Sequence, residues 1–243
     1  MTTRRRSSAT TRLLASAGLV TVVAGLAIAP AASAARAGEP NPARFSTTID
    51  NPYLPFVPGT TMVYRERGED GRGREVVRVT HRTKTVQGVE TVVVRDRAYS
   101  GGDLVEDTRD WYAQDRQGNV WYFGENTKEY EDGKVVSTDG SWKAGVDGAR
   151  AGIVMEANPK VGDTYSQEDA PGVAEDMATV LSLDASRTVP YGNFDNLLKT
   201  RDFSPLEPSV VEHKFYAVGI GSVLEKSVKG PPERLALVRV VRP

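Results

Sequence analysis

Asp110 and Glu125 sit on adjacent β-favouring runs either side of the Arg116-Gln117-Gly118 turn, with Tyr112 near them, and strand alternation puts all three on one face. Paired carboxylates are the acid and base of glycoside hydrolysis. The chemistry open to this chain is therefore that of a carboxylate-dependent hydrolase or isomerase. With 32 acidic residues in the chain such a pair also arises by composition, and no residue is assigned as catalytic. The acidic run Asp103, Glu106, Asp107, Asp110 and Asp115 is oxygen-rich, but its spacing does not fit a calcium loop and alternation splits it between two faces. There is no cysteine, and His81 and His213 are the two histidines. A thiol nucleophile is excluded, and no metal site or cofactor is expected. GxSxG, GxxxxGK[ST] and HExxH are absent.

Arg4, Arg5 and Arg6, the apolar run Leu13 to Ala29 and the triplet Ala32-Ser33-Ala34 have the three-part order of a secretory signal, so residues 1–34 are expected to be cleaved. Both the general secretory and the twin-arginine routes stay open. With no cysteine to lipidate, no covalent membrane anchor is expected, and a secreted, extracytoplasmic location follows. The segment 1–34 holds four arginines and no acid. Its removal shifts the formal charge from -1 to about -5, which argues against nucleic acid as a partner.

Residues 35–60 carry Pro40, Pro42, Pro52, Pro55 and Pro58 and read as a Pro-rich arm, with Asn51 to Phe56 laying apolar side chains on the domain. Residues 61–243 read as a single β-rich domain. Strands are predicted at 61–67, 74–86, 89–99, 103–114, 119–125, 134–137, 174–189, 209–218, 222–228 and 233–241. Tight links such as Gln87-Gly88, Gly101-Gly102 and Asp132-Gly133 supply the positive φ of hairpins. Tyr191 to Lys199 reads as a helical turn or a further strand. Residues 138–172, rich in glycine, read as a long crossing loop with one brief strand near Thr164. The fold class is mainly β: an antiparallel meander forming a closed or half-open barrel.

Bulge-free pairing sets Arg97 opposite Glu106 and Val93 opposite Asp110. One face then gathers Arg95, Arg97, Glu106, Asp110, Tyr112, Trp121, Phe123 and Glu125, and the other Val92, Val94, Trp111, Val120 and Tyr122. Large aromatics on both faces point to something other than bulk water on the second. Asp110, Tyr112, Trp121, Phe123, Glu125 and, from the loop, Trp142 are accordingly the candidate ligand-binding residues.

Asp110-Trp111-Tyr112-Ala113-Gln114-Asp115, Gly118-Asn119-Val120-Trp121-Tyr122-Phe123-Gly124-Glu125 and Phe215 to Val223 resemble segments of uncharacterised exported bacterial β-rich proteins. The last is also similar to a Tyr-Ala-x-Gly-Val-Gly pattern of lipoprotein-like half-barrels. That resemblance implies a half-barrel of the lipid-carrier type and defines no site residues. The reading taken is a secreted, non-enzymatic binding or carrier-like domain for a small apolar or amphipathic ligand. The alternatives are the carboxylate enzyme and a structural cell-envelope interaction module.

Overall fold

The computed structural model describes residues 40–69 and 71–243. Residues 1–34, expected from sequence to be a signal, lie outside the described residues. After a 3-10 turn at Pro42–Arg44 the strands are β1 Phe45–Ser46, β2 Thr61–Gly68, β3 Gly71–Val86, β4 Val89–Ser100, β5 Asp103–Asp115, β6 Val120–Asn126, β7 Glu129–Glu131, β8 Lys134–Ser137, β9 Trp142–Lys143, β10 Arg150–Met155, β11 Thr164–Ser166, β12 Glu168–Asp169, β13 Met177–Val189, β14 Gly192–Phe203, β15 Val211–Ala217, β16 Gly221–Lys229 and β17 Arg234–Val241. No α-helix occurs among the described residues. Of Tyr191 to Lys199, Tyr191 is in the turn and the rest is strand, within β14.

Antiparallel ladders run from β2 through β3, β4, β5 and β6 to β10, and from β2 through β17, β16, β15 and β14 to β13. The sheet is nearly closed into a barrel with one unsealed seam. Between β10 and β13 lie the short β12, laddered to β10, and β11, laddered to β13. The long crossing connection is thus built into the wall: β9 and β10 both pair with β6.

The predicted register fails by one residue, for a local reason. A bulge between Ala98 and Tyr99 sets Ala98 opposite Glu106 and Val94 opposite Asp110. The extra residue exchanges the faces of β4 relative to β5. Arg95 and Arg97 therefore point outward, where Arg95 holds Asp107 through two hydrogen bonds of 2.6 and 2.8 Å. A second shift, between Asp110 and Tyr112, places Asp110 opposite Glu125 and Tyr112 opposite Tyr122. Gly124, at φ 120° inside β6, absorbs that extra residue, and a Cβ there would stand 2.4 Å from the Trp142 carbonyl oxygen.

The arm closes one end of the barrel. Asn51 donates to the carbonyls of Gly118 and Glu156 and accepts from the amides of Tyr53 and Leu54, while Gln114 accepts from the amide of Asn51. The Gly219 amide donates to the Pro52 carbonyl, and Phe56 packs 4.9 Å from the Tyr112 ring. The inward face beneath this cap is apolar: Met62, Val77, Val79, Val92, Val94, Leu198 and Leu237 are all buried there.

Candidate functional site

At the other end the inward face changes character. Following the ladders, it presents Tyr64 and Glu75, Asp96, Thr108 and Asp110, Glu125 and Thr127, Thr200 and Asp202, Glu212 and Lys214, and Glu225. Glu168 and Asp176 join them beside the seam. These nine carboxyls are each no more than 8% exposed, and Lys214, 5% exposed, is the buried cation among the described residues.

Alternation explains why local sequence produces this. Val211-Glu212-His213-Lys214-Phe215-Tyr216 must send Glu212, Lys214 and Tyr216 to one face and Val211, His213 and Phe215 to the other. Here the charged set goes in. Phe215 lies on the outer face beneath the Arg187 guanidinium, 4.2 Å from its ring centroid.

Two polar groups can be distinguished. In the first, the Tyr122 hydroxyl donates to Asp110 Oδ1 (2.7 Å), Thr127 Oγ1 donates to Glu125 Oε2 (3.1 Å), and Trp142 Nε1 donates to Glu168 Oε1 (3.3 Å). Tyr122 stacks on Tyr112 at 4.6 Å and meets Trp142 edge-on at 5.4 Å. In the second, Lys214 Nζ lies 3.5 Å from Asp202 Oδ2 and 3.8 Å from Glu225 Oε2, and Thr200 hydrogen-bonds Asp202. Among the described residues, Glu125 Oε1, Glu212 Oε2, Glu225 Oε1 and the Tyr165 hydroxyl are buried without a hydrogen-bond partner.

Burial is the first cause of what happens to the acids, because it disfavours their charged forms. It raises Asp110, with Asp96 and Glu106 adding repulsion, and it raises Glu125, with Glu168 and Asp110 adding to it. Asp176 is pushed up to about 6, Glu212 to about 7 and Glu225 to about 8, in each case by burial against the pull of Lys214. Burial alone would lower Lys214, but Glu225 and Asp202 outweigh it and hold the ammonium above its ordinary range. The interior is therefore an acid lining around one fixed ammonium, in which burial makes protons harder to remove from Asp110, Glu125, Glu168, Asp176, Asp202, Glu212 and Glu225 than from exposed carboxyls.

Of the residues singled out in the sequence, the structure brings Asp110, Tyr112, Glu125 and Trp142 together on the inward face. Trp121 and Phe123 face outward, with Phe45 set edge-on to both at 5.6 and 5.3 Å. The Trp121 indole donates to Asp115 at 2.9 Å. Trp111 is buried on that outer face too, with the Lys84 ammonium 4.2 Å from its ring centroid. Sequence reasoning missed Glu75, Asp96, Glu168, Asp176, Asp202, Glu212, Lys214 and Glu225.

No family model matches this chain, and no curated protein matches it. Among solved structures, a protein with a YMCC-like fold from Bacteroides fragilis, described as exported, is 14% identical over 78% of this chain and 99% of its own, with a TM-score of 0.46. A protein from Parabacteroides distasonis described as a lipoprotein is 13% identical over 78% of this chain and 98% of its own, with a TM-score of 0.42. The resemblance read from sequence, to exported β-rich bacterial proteins, agrees with this company.

Proposed function

We propose that the protein is an exported, non-enzymatic binding protein whose barrel takes a small amphipathic ligand. The observation that carries this is the two-toned inward face. Apolar residues line the end capped by the arm, and nine buried carboxyls around one lysine line the other. Carboxyl oxygens left without donors in a low-dielectric interior cost free energy that a donor-bearing ligand returns. The tail of such a ligand would lie along Tyr112, Tyr122 and the valines, and its amine or hydroxyl end would meet Glu125, Glu168 and Asp110. A wholly apolar ligand would leave Glu125 Oε1 without a donor. The export signal in residues 1–34 supports a role outside the cytoplasm.

The test is native mass spectrometry of secreted protein, followed by calorimetric titration with dodecylamine and with dodecanoate. A co-purifying small molecule, or saturable binding of the amine that is stronger than that of the carboxylate and weakened in Glu125→Gln, supports the reading. Absence of both overturns it. Turnover of a glycoside that is lost in Asp110→Asn would replace it with the hydrolase reading.

A further inference from the structure

The outer face of the same wall carries the opposite charge. Directly opposed residues in successive ladders pair Arg201 with His213, His213 with Lys226, Lys226 with Arg234, Arg234 with Arg67, and Arg67 with Arg72. Opposed residues share a face, so these six form one continuous rank across β14, β15, β16, β17, β2 and β3. Their chain neighbours Asp202, Glu212 and Glu225 point inward, which fixes the rank as external. Arg67 and Arg72 are exposed and the other four are half-buried. Further cations border it: Arg65 stands opposite Arg74 in the adjoining rank, and Lys199 and Arg187 lie near His213.

Cations set side by side repel one another, and the effect is visible within the rank. Arg234 is held below its ordinary range by burial and by Arg67 and Arg65. His213 is held down at about 4 by burial and then by Lys199, Lys226, Arg187 and Arg201. A chain with a net formal charge of about -5 once residues 1–34 are removed carries in this band its longest run of opposed basic residues, while a shorter outward rank of Arg78, Arg95 and Arg109 is met by Asp107.

We infer that this band is a docking track for a flexible linear polyanion, a phosphodiester-linked polyol chain of the cell envelope. Charge complementarity and shape together select that occupant. Six strands spaced about 4.8 Å apart set the rank, five cations with the neutral His213 among them, along a line of about 24 Å. That line follows the curved wall around about half of its circumference, since six of the wall strands take part. A flat anionic membrane meets only the crest of such a curve, whereas a flexible chain bends along all of it. Arginines suit phosphate oxygens, which they bind in a bidentate manner. The choice of an envelope polymer rests on the export reading. It is independent of what the interior binds.

The experiment uses the mature chain, residues 35–243, and fluorescently labelled poly(glycerol phosphate), with anisotropy read as salt is raised. Binding should weaken with salt, with a log–log slope of about 3 to 4, from about 0.7 per phosphate neutralised over some five contacts. Lys226→Glu with Arg234→Glu should weaken binding by at least about tenfold at low salt. Lys134→Glu with Lys143→Glu, the same charge change away from the band, should leave it within about twofold. Arg67→Glu with Arg72→Glu, at exposed positions, is the second variant should the first not melt cooperatively. Phosphatidylglycerol vesicles, which present the same chemistry on a plane, should compete poorly. No binding at low salt, equal losses in the control and band variants, or vesicles that outcompete the polymer would each overturn the proposal.

Discussion

Lys214 is the residue on which the interior depends most. It stands between Asp202 and Glu225 and is almost fully buried, so removing it leaves carboxyls with no counter-charge. Lys214→Met is expected to cost about 3 to 5 kcal/mol at pH 8, the range for breaking a buried pair by deleting one member. At pH 5 the same change should cost less, because the partner acids can meet it protonated. Urea denaturation at the two pH values checks this, and an equal cost at both would mean the ammonium is not what holds those acids. Asn51 plays a comparable part at the capped end. Its side chain joins the arm to the turn at Gly118 and to the Glu156 carbonyl, so Asn51→Ala should cost about 2 to 3 kcal/mol, from several hydrogen bonds at about 1 kcal/mol each, and should speed proteolysis of the arm.

Among the elements, β6 shows how a single backbone feature decides a face. Gly124 lets the strand take an extra residue beside β9, and Gly124→Ala combines an unfavourable φ with a Cβ only 2.4 Å from a carbonyl oxygen. The variant should lose about 2 to 4 kcal/mol, as strain of this kind adds to overpacking. A thermal melt unchanged from the parent protein would show that β6 can relax without its bulge. The same feature marks where sequence reading stops. Hairpins at Gln87-Gly88, Gly101-Gly102 and Asp132-Gly133 were legible because positive φ demands those residue types, and every strand they join is present. The bulges at Ala98/Tyr99 and within β6 were not, since one inserted residue carries no compositional signature beyond an in-strand glycine such as Gly124. Asp110 and Glu125 survived as a same-face pair, while Trp121 and Phe123 separated from them at the bulge. The acid lining was misread for a different reason: alternation states which residues share a face, but the usual rule for choosing the inner face is reversed in β15.

For the molecule as a whole, the buried acids set a pH dependence whose sign can be worked out. Asp176 at about 6, Glu212 at about 7 and Glu225 at about 8 keep protons in the folded state that the unfolded chain has already released above about pH 4.5. The folded state binds more protons, so stability falls as pH rises, until the folded values are passed. His213 acts in the opposite direction, since a histidine held at about 4 costs stability as pH drops below its ordinary 6.5. Between pH 6.5 and 8 only the acids are at work among these four. The Tm should fall across that interval, as read by differential scanning calorimetry at constant ionic strength. A Tm that rises instead would show that the lining is ionised and otherwise compensated.

The ladder between β2 and β17 joins Thr61 to Val241, so the wall is completed by segments that lie far apart along the chain. As the chain is synthesised the two are made at different times, and β2 has one edge bare until β17 follows it. The ring is therefore a late event in the life of each molecule, and a slow one, because distant pairings must bear the entropy of closing long loops first. Until then the inward acids face water and ionise freely. Pairing β17 with β2 desolvates them, and Asp176, Glu212 and Glu225 take up protons as it forms, so the rate of folding itself should quicken as the surrounding medium is acidified.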